Sequence, residues 1–114
     1  RNKKEEIDFI KQYENTATLA TTYINLFELF YGAFKSNKPR ELIAVEILKQ
    51  RIKILNLDDN IVRKAGEIAV KLEKEGKMID FRDLLIGVTS LINGFSLKTY
   101  NISDFSRVPE LKLL

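Results

Sequence analysis

Three acidic side chains stand where their neighbours make them chemically informative. Glu28 lies in YINLFELFYGAF, surrounded in sequence by Ile24, Leu26, Phe27, Leu29, Phe30 and Phe34. Asp83 and Asp104 belong to MIDFRDLLIGVTSLINGFSLKTYNISD, which reads as an acidic helix start, an apolar helix, a glycine stop, a strand and an acidic turn. Such a helix and strand belong to a parallel sheet, where ligand groups gather at the carboxyl edge. Asp83 and Asp104 can therefore meet. Burying an ionised carboxylate is expensive unless it is paired or coordinates a metal. Glu28 is thus either one half of a structural ion pair with an arginine or lysine, or a metal ligand pointing into the same crevice. The chain has no histidine and no cysteine, which removes an imidazole base, a Ser-His-Asp triad, a thiolate nucleophile and a zinc site of the usual N/S kind. Any metal must be held by oxygen, which points to Mg²⁺ or Mn²⁺. Crowded carboxylates repel, and a divalent cation relieves that repulsion.

The composition sets the frame for this chemistry. At 114 residues, 45% hydrophobic and 31% charged, the chain is expected to form one domain with a real core. No apolar run reaches membrane-spanning length. The lack of cysteine makes a reducing cytoplasm the default setting. A net charge of +3 suits a polyanionic substrate, but only weakly, because many basic proteins bind no nucleic acid.

The elements that must position the acids follow in order. Asn2 is expected to cap a helix reaching about Tyr13, with Ile7, Phe9, Ile10 and Tyr13 partly on one face and Lys3, Lys4, Glu5 and Glu6 solvated. Thr16–Thr22 reads as a strand, and Thr21 or Thr22 caps a helix from Tyr23 to about Phe34. Ser36–Pro39 is a turn that opens a third helix to Arg51, whose Leu42, Ile43, Val45, Ile47 and Leu48 form a broad apolar stripe. The resulting αα-hairpin either packs on the sheet or presents a dimer or partner surface. Ile52–Leu57 contains a strand. Asp58 or Asp59 then caps a helix from about Asn60 to Gly76, with Val62, Ala65, Ile68, Ala69 and Leu72 inward. Asp80 or Asp83 opens the next helix, which Leu84, Leu85, Ile86, Val88, Leu91 and Ile92 mark as buried all round. Asn93-Gly94 closes it. Strands at Ser96–Tyr100 and Leu111–Leu114 flank the turn at 101–104 and a polar turn at 105–110. The order α, β, α, α, β, α, α, β, β predicts an α/β domain with a mainly parallel sheet between helices.

At this level the residues resemble a known family. TTYINLFELFYGA resembles the PIN-domain block in which a strand ending in hydroxyl residues leads into a helix bearing a Glu. IDFRDLLIGVTSLINGFSLKTYNISDF resembles its second block, an Asp opening an apolar helix, a glycine, and a strand ending Thr-x-Asn-x-x-Asp-Phe; RVPELKLL matches the usual tail. Within the family the likeness is to the small prokaryotic VapC-like toxins. It implies a three-layer α/β/α PIN-like domain over residues 1–114 and a metal-dependent endoribonuclease using Mg²⁺ or Mn²⁺. Glu28, Asp83 and Asp104 match the second, third and fourth acidic positions. Thr99 and Asn101 match the polar residues of the last motif, supporting the metal site or contacting phosphate. Asp80 is an extra carboxylate that either assists coordination or caps the helix. Arg82, Lys98 and Arg107 are either RNA-backbone contacts or partners of carboxylates and surface charges.

The resemblance also implies an RNA substrate, a cognate antitoxin laid across the hairpin helices and the acidic pocket, and a homodimer. The family's first motif, an apolar strand ending in Asp, has no counterpart before Asn2, and Asp8 lies in a helical pattern. The expectation is that this N-terminal strand and first ligand are absent from the given chain. Two other readings stay open: a catalytically inactive PIN-like module that binds protein or RNA, and a structural α/β domain whose acids are caps and ion pairs.

Overall fold

The computed structural model describes residues 3–114, with side chains from residue 7 onward. The expected Asn2 cap, and the solvation of Lys3 to Glu6, lie outside the described residues. The chain forms two compact units that meet in sequence between Leu55 and Asn56.

The first unit contains α1 (Lys3–Tyr13), β1 (Ala20–Thr22), α2 (Tyr23–Ser36), α3 (Pro39–Arg51) and β2 (Lys53–Leu55). The strand predicted over 16–22 shrinks to its last three residues. The N–H groups of Thr16 and Ala17 bond back to the Tyr13 carbonyl at 3.1 and 2.9 Å, so the chain is still turning out of α1 there. β1 and β2 pair in parallel, with Ala20 opposite Lys53 and Thr22 opposite Leu55. Parallel pairing requires a crossover, which the α2–α3 hairpin supplies. Thr22, not Thr21, caps α2. Its hydroxyl accepts from the Asn25 N–H at 3.1 Å and donates to Asn25 Oδ1 at 2.7 Å. Asn37 ends α2 in the left-handed region at φ 55°, and Pro39 starts α3.

Leu26 and Ala33 of α2 pack with Val45 of α3, supported by Leu29, Phe30, Leu42 and Ile54. That inward row leaves the opposite side of α2 in solvent. Tyr23, Phe27, Tyr31 and Phe34 are all more than half exposed, as is Ile43 on α3. Glu28 shares that outer side and is exposed. The expectation that Glu28 is buried among apolar residues is therefore corrected: its apolar neighbours in sequence divide between two faces of the helix. No described residue forms an ion pair with it.

The second unit contains α4 (Asp59–Lys74), α5 (Phe81–Ile92) and α6 (Ile102–Phe105). Asp58 caps α4 by accepting from the Ile61 N–H at 3.0 Å. The inward row is Ile61, Ala65, Ile68 and Leu72, so the predicted stripe is rotated: Val62 faces outward and Ala69 is only half-buried. This row packs against Leu84 and Val88 of α5 and against Val108. Each large aliphatic side chain removed from water there contributes roughly 1.5–3 kcal/mol. Thr89 and Ser90 are buried on α5, and their hydroxyls donate to the carbonyls of Leu85 and Ile86 at 2.6 and 3.0 Å, so neither is left unsatisfied. Gly94, at φ 75°, ends the helix, and the N–H of Phe95 bonds the Ser90 carbonyl at 2.9 Å.

The two predicted C-terminal strands reduce to one parallel bridge between Leu97 and Leu113. The Asn101 N–H turns back to Thr99 Oγ1 at 3.0 Å, which ends the extended run, and Glu110, at φ 67°, turns the chain just before the other segment. Residues 102–105, read as a turn, close into α6. Every strand pairing among the described residues is parallel, as the sequence predicts. No helix among them is long and apolar enough to cross a membrane.

Candidate metal-binding acidic pair

The start of α5 uses its two aspartates differently. Asp80 is the cap: its carboxylate accepts from the Arg82 N–H at 2.8 Å and from Arg82 Nε at 3.2 Å. These two Arg82 donors hold the Asp80 carboxyl below the usual carboxylate range. Asp80 is thus occupied in closing the helix end. Asp83, in the first turn, is half-buried and accepts from Asn101 Nδ2 at 3.2 Å. The same nitrogen donates to Asp104 Oδ2 at 2.9 Å. One amide group therefore spends its two N–H bonds on two carboxylates. Thr99 fixes the Asn101 backbone, and Asp104 sits in α6 directly before the buried Phe105.

A glycine sets how closely these segments approach. Gly87 follows Asp83 by one helical turn and so lies on the same face of α5. A Cβ added there would stand 3.2 Å from Val108 Cγ2, and 3.4 Å from both Leu111 and Phe105 side chains. The absent side chain brings the Asp83 face of α5 onto the segment that carries Asp104. Sequence reasoning missed this role. Its one signal was an isolated glycine inside an otherwise apolar helix, a pattern that usually has a packing reason.

Arg107 provides a further tie. Its guanidinium donates to the Met78 carbonyl at 2.8 Å and lies 3.8 Å from Asp104 Oδ1. Arg82 and Arg107 are carboxylate partners, and the Lys98 ammonium lies 5.2 Å from the centre of the Tyr100 ring.

The acidic pair suits a hard divalent cation. Two like charges converge on one neutral amide; among the described residues Asp83 has no ion-pair partner, and Asp104 has only the long, partly exposed Arg107 contact. The donors are all oxygen, and Mg²⁺ commonly takes one or two carboxylates, keeping water and substrate phosphate for its other positions. Among the described residues no group of three histidine, cysteine, aspartate or glutamate side chains forms a metal set. Glu28 belongs to the first unit and Asp83 with Asp104 to the second.

Comparison with known proteins identifies the family of the chain. A PIN domain profile matches residues 1–111 and so spans both units. The chain is 30% identical over 112 residues to ribonuclease VapC2 of Haemophilus influenzae, covering 96% of this chain and 85% of that protein. It is 31% identical over 100 residues to the tRNA(fMet)-specific endonuclease VapC of Salmonella typhimurium, covering 87% and 76%. Among solved structures, VapBC2 from Rickettsia felis bound to a promoter DNA fragment superposes with a TM-score of 0.83 at 30% identity, over 95% of this chain and 82% of that one. VapBC-1 from nontypeable Haemophilus influenzae gives 0.82 at 28% identity, over 95% and 81%. The α/β fold, the order of the motifs and these likenesses agree: the chain belongs to the PIN domain family, among the VapC ribonucleases.

Proposed function

We propose that this chain is the toxin of a toxin–antitoxin pair, an endoribonuclease that hydrolyses RNA phosphodiester bonds with the help of Mg²⁺ or Mn²⁺. The observation that carries the metal site is the convergence of Asp83 and Asp104 on the Asn101 amide. These two carboxylates would hold the cation, with Thr99 and Asn101 fixing their setting. When bound, the cation supplies charge neutralisation at the scissile phosphate and a more acidic water. The chain's own residues do the positioning: Asp80 pins the start of α5, Gly87 allows the close approach, and Asn101 keeps the two acids together. Glu28 joins this proposal on its sequence motif alone, with residues 1–114 acting as one PIN-like domain.

The proposed partner is an antitoxin polypeptide seated on the α2–α3 hairpin. Phe27, Phe30, Tyr31 and Phe34 line one open apolar patch on α2, and Ile43 of α3 is exposed as well. Two of the solved neighbours are VapBC assemblies, which supports a partner of that kind. A homodimer is proposed on the same resemblance.

The decisive experiment is RNA cleavage by the purified chain with Mg²⁺, with Mn²⁺ and with a chelator, for the natural sequence and for Asp83→Asn and Asp104→Asn. Cleavage that needs the ion and both acids supports the proposal. Metal-independent cleavage, or cleavage untouched by either substitution, defeats it. Metal uptake without cleavage turns the reading to an inactive RNA- or protein-binding module.

A further inference from the structure

Arg107 spans two segments that a merely decorative surface charge would leave apart. Its guanidinium bonds the Met78 carbonyl, 29 residues earlier in the chain. Met78 lies in the loop that leads into the Asp80 cap and so into the helix bearing Asp83. The same guanidinium faces Asp104, and the Arg107 N–H bonds the Asp104 carbonyl at 3.1 Å. Arg107 is thus tied to the approach of α5 through its guanidinium and to the end of α6 through its backbone N–H.

We propose that Arg107 is a positioning residue for the hydrolytic site: it fixes the spacing of Asp83 and Asp104 and thereby the affinity for the divalent ion. The inference rests on the reading that these two acids hold the metal. A rival role has the opposite sign. A guanidinium beside Asp104 also repels an incoming cation, so as a plain counter-charge its loss would tighten metal binding. The geometry favours positioning. The contact to Asp104 is long and partly exposed, hence screened and weak. The bond to the Met78 carbonyl is exposed too, but it is short and charge-assisted, and it joins segments 29 residues apart.

The test uses the full chain with Arg107→Met, which keeps bulk and removes every side-chain donor, and Arg107→Gln, which keeps a neutral donor for the Met78 carbonyl. Mn²⁺ affinity is measured by calorimetry, and the Asn101 side-chain amide signals are followed by NMR in metal-free protein. Arg107→Met is expected to bind Mn²⁺ roughly tenfold more weakly, the scale of losing a residue that orients a ligand. Its Asn101 signals should move, and Arg107→Gln should recover part of the affinity. At saturating Mn²⁺ the KM for RNA should be unchanged. Unaltered or tighter Mn²⁺ binding by Arg107→Met, with unmoved Asn101 signals, overturns the positioning role. A raised KM with intact metal affinity overturns it in favour of a phosphate contact. If the unsubstituted chain takes up no Mn²⁺, the metal-site reading itself fails. The Asn101 signals need no metal, so they separate that failure from failure of Arg107's role. Should Arg107→Met fail to fold, Arg107→Gln carries the same comparison against the natural chain.

Discussion

Asp83 and Asp104 accept hydrogen bonds from one and the same nitrogen, Asn101 Nδ2, at 3.2 and 2.9 Å. A neutral amide can orient two carboxylates, but it cannot cancel their charges. The pair is therefore better arranged for receiving a cation than for stabilising the fold without one. Asp83→Asn makes this measurable, because it removes one of the two like charges while keeping the shape. Cleavage should fall by more than about 100-fold, beyond what loss of a supporting residue costs. Metal-free stability, followed by urea unfolding, should hold or rise as the repulsion is relieved. A large loss of stability together with activity would make Asp83 a structural residue.

Asn101→Ala should behave in the opposite way. Both carboxylates lose their shared donor, and hydrogen bonds to charged groups are each worth about 1.5–3 kcal/mol. Because the site is half-open to water, a total loss on the order of 2 kcal/mol is expected in metal-free protein. Added Mn²⁺ should narrow the gap, since a cation replaces the missing donor. The check is a pair of denaturation curves with and without Mn²⁺; an equal gap in both would detach Asn101 from the metal site.

Much of the fold was legible in the sequence, for identifiable reasons. Asp58 and Asp80 stand where free helix N–H groups select carboxylates, and both cap as the pattern implies. The Asn93-Gly94 stop and the parallel pairing also follow from local signals. What sequence could not settle was direction and extent. Glu28 looked enclosed because its neighbours in the string are apolar, yet helical geometry sends Phe27 and Tyr31 outward beside it. The C-terminal strands have β-branched and apolar character, but the Thr99–Asn101 turn cuts the extended run short. Contacts between distant segments, such as Arg107 with Met78, have no local signature at all.

The exposure of Glu28 gives its own discriminating experiment. Glu28→Gln at an exposed helical position should alter stability by no more than about 0.5 kcal/mol. If Glu28 belongs to the catalytic acids, RNA cleavage should nonetheless collapse. Unchanged cleavage by a stably folded Glu28→Gln chain would remove it from the site.

Asp80 supplies an acid-side dependence that its Arg82 partner controls. Its folded carboxyl lies below the usual range, so its contribution is complete above the ordinary aspartate pKa and is lost as the pH falls through the lowered folded value. Arg82→Gln removes the side-chain donor that lowers it most. The Asp80 carboxyl carbon, followed by ¹³C NMR across acid pH, should then titrate at a higher pH than in the natural chain. A titration curve that does not move would show that the backbone N–H of residue 82 suffices.

Gly87 and Gly66 form a matched pair in which the same substitution should have opposite signs. Both lie within helices, where replacing glycine by alanine gains about 1 kcal/mol through reduced backbone freedom. At Gly66 of α4 nothing stands within 4 Å of an added Cβ, so Gly66→Ala should deliver most of that gain. At Gly87 the new methyl meets Val108 Cγ2 at 3.2 Å, tighter than ordinary contact, with Leu111 and Phe105 close behind. Val108 is only 2% exposed and branched at Cβ, so it has little freedom to yield. Overpacking of this kind costs about 1–3 kcal/mol, which outweighs the helical gain. Gly87→Ala should therefore unfold at lower urea than the natural chain, and Gly66→Ala at higher. Because the displaced segment 105–111 follows directly on Asp104, Gly87→Ala should also weaken Mn²⁺ binding while Gly66→Ala leaves it alone. If both alanines stabilise equally, the close approach at Gly87 does not set the carboxylate spacing.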